Sequence, residues 1–137
     1  MKCNIGAENE TDRGLFFQWG DTVGYDVRTA PTHSYWSTCP GNGGNSSSDA
    51  SALIEWDKDN LANNVLNTSV DAAYVHTHGK AKMPTLTQIK ELISGTNNEW
   101  TTINGVVGRK FTNKADSSKY IFIPIAGHFA EGSYYYY

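Results

Sequence analysis

Cysteine, proline, basic charge and long apolar runs are all scarce in this chain, and each scarcity removes a class of protein. The two cysteines, Cys3 and Cys39, have no CxxC partner and no histidine pair at ligand spacing, so they build neither a zinc knuckle nor a redox dithiol. Two reduced, partly buried thiols are the expectation, with a Cys3–Cys39 disulfide as the alternative. Eleven Lys and Arg stand scattered against fourteen Asp and Glu, a net charge of -3. No stripe is left to track a phosphate backbone, and nucleic acid is not an expected partner. No stretch reaches the ~18–20 apolar residues that cross a bilayer, so no membrane insertion is expected. The opening MKCNIGAENE lacks the apolar core of a signal peptide, and the expectation is a soluble chain with no export signal of its own. Charged residues are also fewer than usual, at 18%.

What the chain has instead is apolar and aromatic substance, 39% and 12% of its residues, which places it with folded proteins. Its 137 residues are read as one domain. Residues 14–20, GLFFQWG, form a short apolar run between glycines, as a buried strand would. Residues 21–49 read as a long surface loop, because CPGNGGNSSSD crowds turn formers that cannot bury apolar area. In SALIEWDKDNLANNVL, Leu53, Ile54, Trp56, Leu61 and Val65 have partly helical spacing, with Asp49 or Ser51 as N-cap. A short helix is expected there, and a further helical turn in SVDAAYVHTHG, where Val70, Ala73 and Tyr74 share a face.

The sharpest local signal is MPTLTQIKELISG. Thr85 and Gln88 have capping-box spacing, Ile89, Leu92 and Ile93 repeat at helical intervals, and Gly95 sits where a left-handed cap would stop the chain. The helix is expected over residues 86–94. EWTTIN, GRKFTNK and KYIFIPIAG then read as strands, with Asn104–Gly105 as a turn. The run 120–125 is apolar almost throughout, as in a strand covered on both faces, and Pro124 marks a strand end or bulge.

NIGAENETDRGLFFQWGDTVGY, KMPTLTQIKELI, EWTTINGVVGRKFT and IFIPIAG follow one another in an order and spacing that resembles a known group. It comprises paralogous domains abundant in gut Bacteroidetes and their phages, within the C-type-lectin-like fold group. That group also holds formylglycine-generating enzymes and the variable proteins of diversity-generating retroelements. The resemblance covers residues 4–132. It implies an α+β domain with one or two helices packed on small twisted antiparallel sheets and long loops on one side. It further implies a binding scaffold of the kind used in adhesins, pilus tips and phage receptor-binding proteins. Two departures stand out: Lys82 replaces the arginine of an RMPT motif, and a WSS-like stretch with a GFSVR-like final strand does not follow IFIPIAGHFAEGS. In diversified members the variable residues lie in that C-terminal part, and SYYYY resembles the start of such a surface. The alternative is that Tyr134, Tyr135, Tyr136 and Tyr137 are the frayed end of a domain without its tail, or an edge closed by another subunit.

The remaining candidates divide by chemistry. Tyr35 and Trp36, inside the loop, are the aromatic residues best placed for exposed contact, whereas Trp19 and Trp100 fall in strand-like motifs and are expected in the core. His76 and His78 could share a metal if their segment were extended, but no third ligand is suitably spaced, and two loop histidines are the simpler reading. Asp21, Asp26 and Asp49 lack the spacing of a calcium loop. His128 and Glu131 form an acid/base pair without a nucleophile, so His128 is counted as a contact residue instead. No cofactor and no metal are expected. The favoured function is a non-enzymatic ligand-binding or adhesion module on a phage or bacterial surface, facing a cell-surface protein or glycan. The runner-up is a structural virion or filament subunit that pairs with copies of itself or with virion proteins. An enzyme related to the formylglycine-generating group is weakest, because that group's active cysteines lie late in its fold and both cysteines here precede the MPT helix.

Overall fold

The computed structural model describes residues 2–17, 19–26, 59–63, 65–130 and 133–135, with residues 128–130 and 133–135 described by their backbone. In chain order the elements are β1 (Leu61–Ala62), β2 (Val65–Leu66), α1 (Ala72–His76), α2 (Leu86–Gly95), β3 (Thr96–Ile103), β4 (Val106–Asn113), β5 (Tyr120–Pro124), β6 (His128–Ala130) and β7 (Ser133–Tyr135). The α+β class read from the sequence is the class observed. The chain divides into two compact units: Met1–Gly14, Pro84–His128 and Tyr135–Tyr137 in one, Leu15–Met83 and Phe129–Tyr134 in the other.

In the first unit α2 begins as its sequence requires. Thr85 Oγ1 accepts from the Gln88 amide at 3.2 Å and the Thr85 amide donates to Gln88 Oε1 at 2.9 Å, so two otherwise open donors are satisfied reciprocally. Its end differs from expectation. Gly95 does not adopt the left-handed cap; it is the last helical residue, and extended Thr96 (φ -120, ψ 160) carries the chain straight into β3. Side chains take the helix's last carbonyls instead: Thr96 Oγ1 donates to Leu92 O, and Lys114 Nζ donates to Ser94 O at 2.7 Å. With those acceptors filled, no left-handed turn is needed to fill them.

The three expected strands form one antiparallel sheet in the order β3-β4-β5. Asn104 (φ 49) and Gly105 (φ 80) are both left-handed, the two-residue hairpin turn whose twist matches its strands. Pairing then runs Ile103↔Val106, Thr101↔Gly108 and Trp100↔Arg109, and across β4 to β5 as Gly108↔Pro124 and Arg109↔Ile123. One face carries Phe122, 4% exposed, with buried Gly108 and Pro124. The opposite face carries Trp100, Arg109, Ile121 and Ile123.

Two expectations are corrected by that register. Strand β5 is covered on one face only, since Ile121 and Ile123 are 42% and 45% exposed. Trp100, expected in the core, is 62% exposed, because strand alternation sets it on the side opposite Phe122. Pro124 ends β5 as expected. At Gly108 a Cβ would stand 2.5 Å from both the Ile123 carbonyl oxygen and the Phe122 ring, so only glycine lets that ring lie across the sheet. The loop Asn4–Asp12 docks on the same unit through Tyr120, whose hydroxyl donates to Glu10 Oε1 at 2.9 Å. Cys3, just before this loop, is a free thiol, and Cys39 lies outside the described residues.

In the second unit the buried strand expected over residues 14–20 reduces to one bridge, Phe16↔Tyr25, with both backbone bonds at 2.9 Å. Asp21 reverses the chain by accepting from the Val23 and Gly24 amides at 2.8 and 3.1 Å, which leaves Trp19 40% exposed instead of in the core. The helix expected in SALIEWDKDNLANNVL is present at Asp59 and Asn60 but does not continue through Leu61 and Val65. These residues form the β1–β2 hairpin, Leu61↔Leu66 and Ala62↔Val65, turned at left-handed Asn63 (φ 54). Adjacent Asn63 and Asn64 are turn formers, and apolar spacing that was only partly helical did not outweigh them. Asp49, Ser51 and the loop residues 27–49 lie outside the described residues. The helical turn expected near Tyr74 is α1, capped by Asp71.

Two glycine substitutions should separate these environments. Gly95→Ala fills open space inside a helix and is expected to raise stability by about 0.5–1 kcal/mol, whereas Gly108→Ala must displace backbone or Phe122 and is expected to cost roughly 2 kcal/mol or more. Urea denaturation of the two variants beside the parent measures both.

Candidate functional site

Of the residues singled out in the sequence, Tyr35, Trp36, Tyr136 and Tyr137 lie outside the described residues. His128 opens β6, and Tyr134 and Tyr135 lie in β7. These two strands pair into a two-stranded sheet, so the histidine and the first two terminal tyrosines belong to one backbone ladder. Glu131 is outside the described residues.

The histidine pair is not arranged as a metal site would require. His76 ends α1 and His78 is left-handed (φ 52), so the segment is not extended and the two rings do not share a strand face. The Thr22 carbonyl can only accept, so His76 Nε2, 2.9 Å away, donates to it; the ring meets Phe17 edge-on at 5.3 Å. Asp71 is fully occupied too. At 0% exposure it accepts from the Tyr74 amide through Oδ1 (3.1 Å) and from the Met83 amide through Oδ2 (2.9 Å). One carboxylate therefore starts α1 and anchors the segment that returns past it. Among the described residues no three His, Cys, Asp or Glu side chains are grouped to hold a metal ion.

Among the described residues, two surfaces gather exposed side chains. The first is the open face of the β3-β4-β5 sheet. There the Arg109 guanidinium carbon lies 5.3 Å from the Trp100 ring centroid, and Arg109 Nε (3.1 Å) and Nη2 both donate to Asn98 Oδ1. Asn98 thus fixes the guanidinium, and the guanidinium fixes one face of the indole. Exposed Val107, Ile121 and Ile123 share this side, while Leu86, Ile89 and Ile93 on α2 are exposed in the same unit. Reading Trp100 as core missed this surface. Counting outward from Asn104–Gly105 would have found it, since a two-residue turn sets Trp100 opposite Arg109.

The second surface is a cleft of about 460 Å³ in the other unit, lined by Thr68, Ser69, Tyr74, Val75, His78 and Gly79. Left-handed His78 and Gly79 (φ 81) reverse the chain after α1, with the Gly79 amide donating to Tyr74 O at 2.8 Å. Thr77 Oγ1 holds this turn by donating to Ala73 O (2.6 Å) and accepting from the Ala81 amide (2.9 Å). Lys82 sets Nζ 5.6 Å from the Tyr74 ring centroid.

The described chain is thus a small α+β protein with a capped helix leading into a three-stranded sheet. Compared with models of protein families, with characterised proteins and with solved structures, it matches none.

Two substitutions probe the second unit. Asp71→Asn keeps size but turns one acceptor into a donor facing a backbone N–H, and is expected to destabilise by about 1–3 kcal/mol in thermal or urea unfolding. Burial, reinforced by the Asp21 carboxylate, pushes the Tyr25 phenol from 10.0 up to about 12. The folded state then holds this proton more tightly than the unfolded one, so the contribution is intact below pH 10 and is lost as pH rises through about 12. Urea midpoints across the alkaline range should fall less steeply for Tyr25→Phe than for the parent.

Proposed function

We propose that the chain is a non-enzymatic ligand-binding or adhesion module, and that the open face of the β3-β4-β5 sheet is its contact surface. The observation that carries this reading is Trp100, an indole 62% exposed yet held in place by an arginine that Asn98 itself holds. Tryptophan and arginine supply a disproportionate share of binding energy at interfaces, and a side chain fixed beforehand loses less entropy on contact. Val107, Ile121 and Ile123 add apolar area of the kind that marks an interaction surface when it is contiguous.

The finer description rests on the sequence motifs. We assign the architecture to the C-type-lectin-like group, and with it display on a virion or bacterial surface facing a cell-surface protein or glycan. That assignment is an analogy of fold. A structural virion or filament subunit is the second reading, favoured by the same apolar face and by β5, which among the described residues is an edge strand.

Sedimentation over a wide concentration range and titration onto intact bacterial cells decide between these. The expected result is the mass of one chain throughout and saturable cell binding. Trp100→Ala should weaken that binding by about 2 kcal/mol, roughly thirtyfold, with an unchanged melting curve. A mass that rises with concentration in the parent but not in Trp100→Ala would instead make the face an assembly contact. Unchanged cell binding by Trp100→Ala would remove the sheet face from the reading.

A further inference from the structure

The cleft beside α1 plays no part in the sheet-face reading, and its lining has a definite chemical character. Thr68, Ser69 and Tyr74 bring three hydroxyl groups to its wall, each able both to donate and to accept, and His78 adds an imidazole. Among the described residues none of these four side chains makes a hydrogen bond within the protein. Exposed Val75 supplies one apolar patch between them. The volume, about 460 Å³, falls within the range of small-ligand sites.

The cleft is also held in shape. Buried Asp71 fixes the start of α1 and the Met83 amide, Thr77 clamps the turn, and His78 is kept at φ 52 in the left-handed region that non-glycine residues seldom occupy. Gly79 packs against the Tyr74 ring, where an added Cβ would stand 3.3 Å from the phenol oxygen. No acidic side chain is found among the described residues of the lining, and Lys82, outside the lining, sets its ammonium 5.6 Å from the centroid of the Tyr74 ring that forms one wall.

We propose that this cleft binds one acid-bearing sugar unit of a glycan. Ring hydroxyls, which donate and accept at close spacing, match Thr68, Ser69 and Tyr74. A sugar's C–H face matches Val75. A carboxylate or sulfate that extends past the Tyr74 ring would reach Lys82. An apolar ligand would leave three hydroxyls unpaired, and a bare anion would use the lysine alone.

The test is a titration of the isotopically labelled full chain, followed by amide NMR, with a sulfated chondroitin disaccharide as probe and with lactose and inorganic sulfate as comparisons. The disaccharide is expected to shift the amides of Thr68, Ser69, Val75 and His78 with a dissociation constant on the order of 1 mM, as an open site with few contacts gives. Lactose should bind more weakly by about tenfold, the effect of losing one charge-assisted contact, and sulfate should produce no saturable shift at these residues. Lys82→Gln and Ser69→Ala should each weaken disaccharide binding several-fold, whereas Trp100→Ala should not, so failure here and failure of the sheet-face reading are separable. His78→Asn tolerates the left-handed backbone and removes the imidazole, which gives a second variant with the turn intact. Absence of saturable shifts with the disaccharide overturns the site. Equal affinity for lactose overturns its selection of an acid, and equal affinity for sulfate reduces it to a simple anion contact.

Discussion

A strand shows alternate side chains to opposite faces, so whatever fixes a hairpin's register also fixes which residues face solvent. In the three-stranded sheet the fixing element is the pair of left-handed residues Asn104 and Gly105. With the turn at those two positions, Trp100 must lie opposite Arg109, and Thr101 opposite Gly108. A shift by one residue would carry Trp100 to the Phe122 side, where the space is sized to glycine: a Cβ on Gly108 would already meet the Phe122 ring at 2.5 Å. The turn and the glycine therefore exclude the alternative from two directions. The exposed indole is a consequence of how the hairpin closes, and the Asn98–Arg109–Trp100 chain of contacts is built along one face because that closure permits no other.

In the other unit the corresponding constraint is electrostatic. Asp71 has no access to water, so both carboxylate oxygens must find donors inside the protein. They find them on the Tyr74 and Met83 amides, residues three and twelve positions further along the chain. A five-residue helix such as α1 is too short to stand by propensity and depends on such a tie. The turn through Thr77, His78 and Gly79 lies between the two donors, and so its ends are set by one carboxylate.

What could be read from the sequence follows how local each cause is. The capping box at Thr85 and Gln88, the turn at Asn104–Gly105 and the end of β5 at Pro124 each depend on a few adjacent residues, and all three were legible. The stop at Gly95 was not, because the carbonyls it would have satisfied are taken by Thr96 and by Lys114, the latter twenty residues away. Leu61 and Val65 were misplaced for a related reason: a partly helical spacing was weighed above an Asn-Asn turn. Trp100 and Ile123 were assigned to the core from their apolar character, although register decides the face and was already implied by the turn. For the candidate site the gap is wider. The contacts around the cleft join residues 68–69, 74–75 and 78–79 through the fold of a short segment, and no motif announces them.

The two surfaces would recognise a partner by different physics. The sheet face offers apolar area with one oriented cation, so its affinity would come from water released over several side chains, with Arg109 supplying direction. Such a face tolerates variety in what it meets, because area is not selective by itself. The cleft offers hydroxyls and an imidazole beside the apolar side chain of Val75, and its selectivity would come from leaving those polar groups unpaired when the wrong ligand enters. Both surfaces hold side chains in place before any partner arrives. Side chains fixed beforehand lose less entropy on contact, so this preorganisation adds to whatever affinity each surface has.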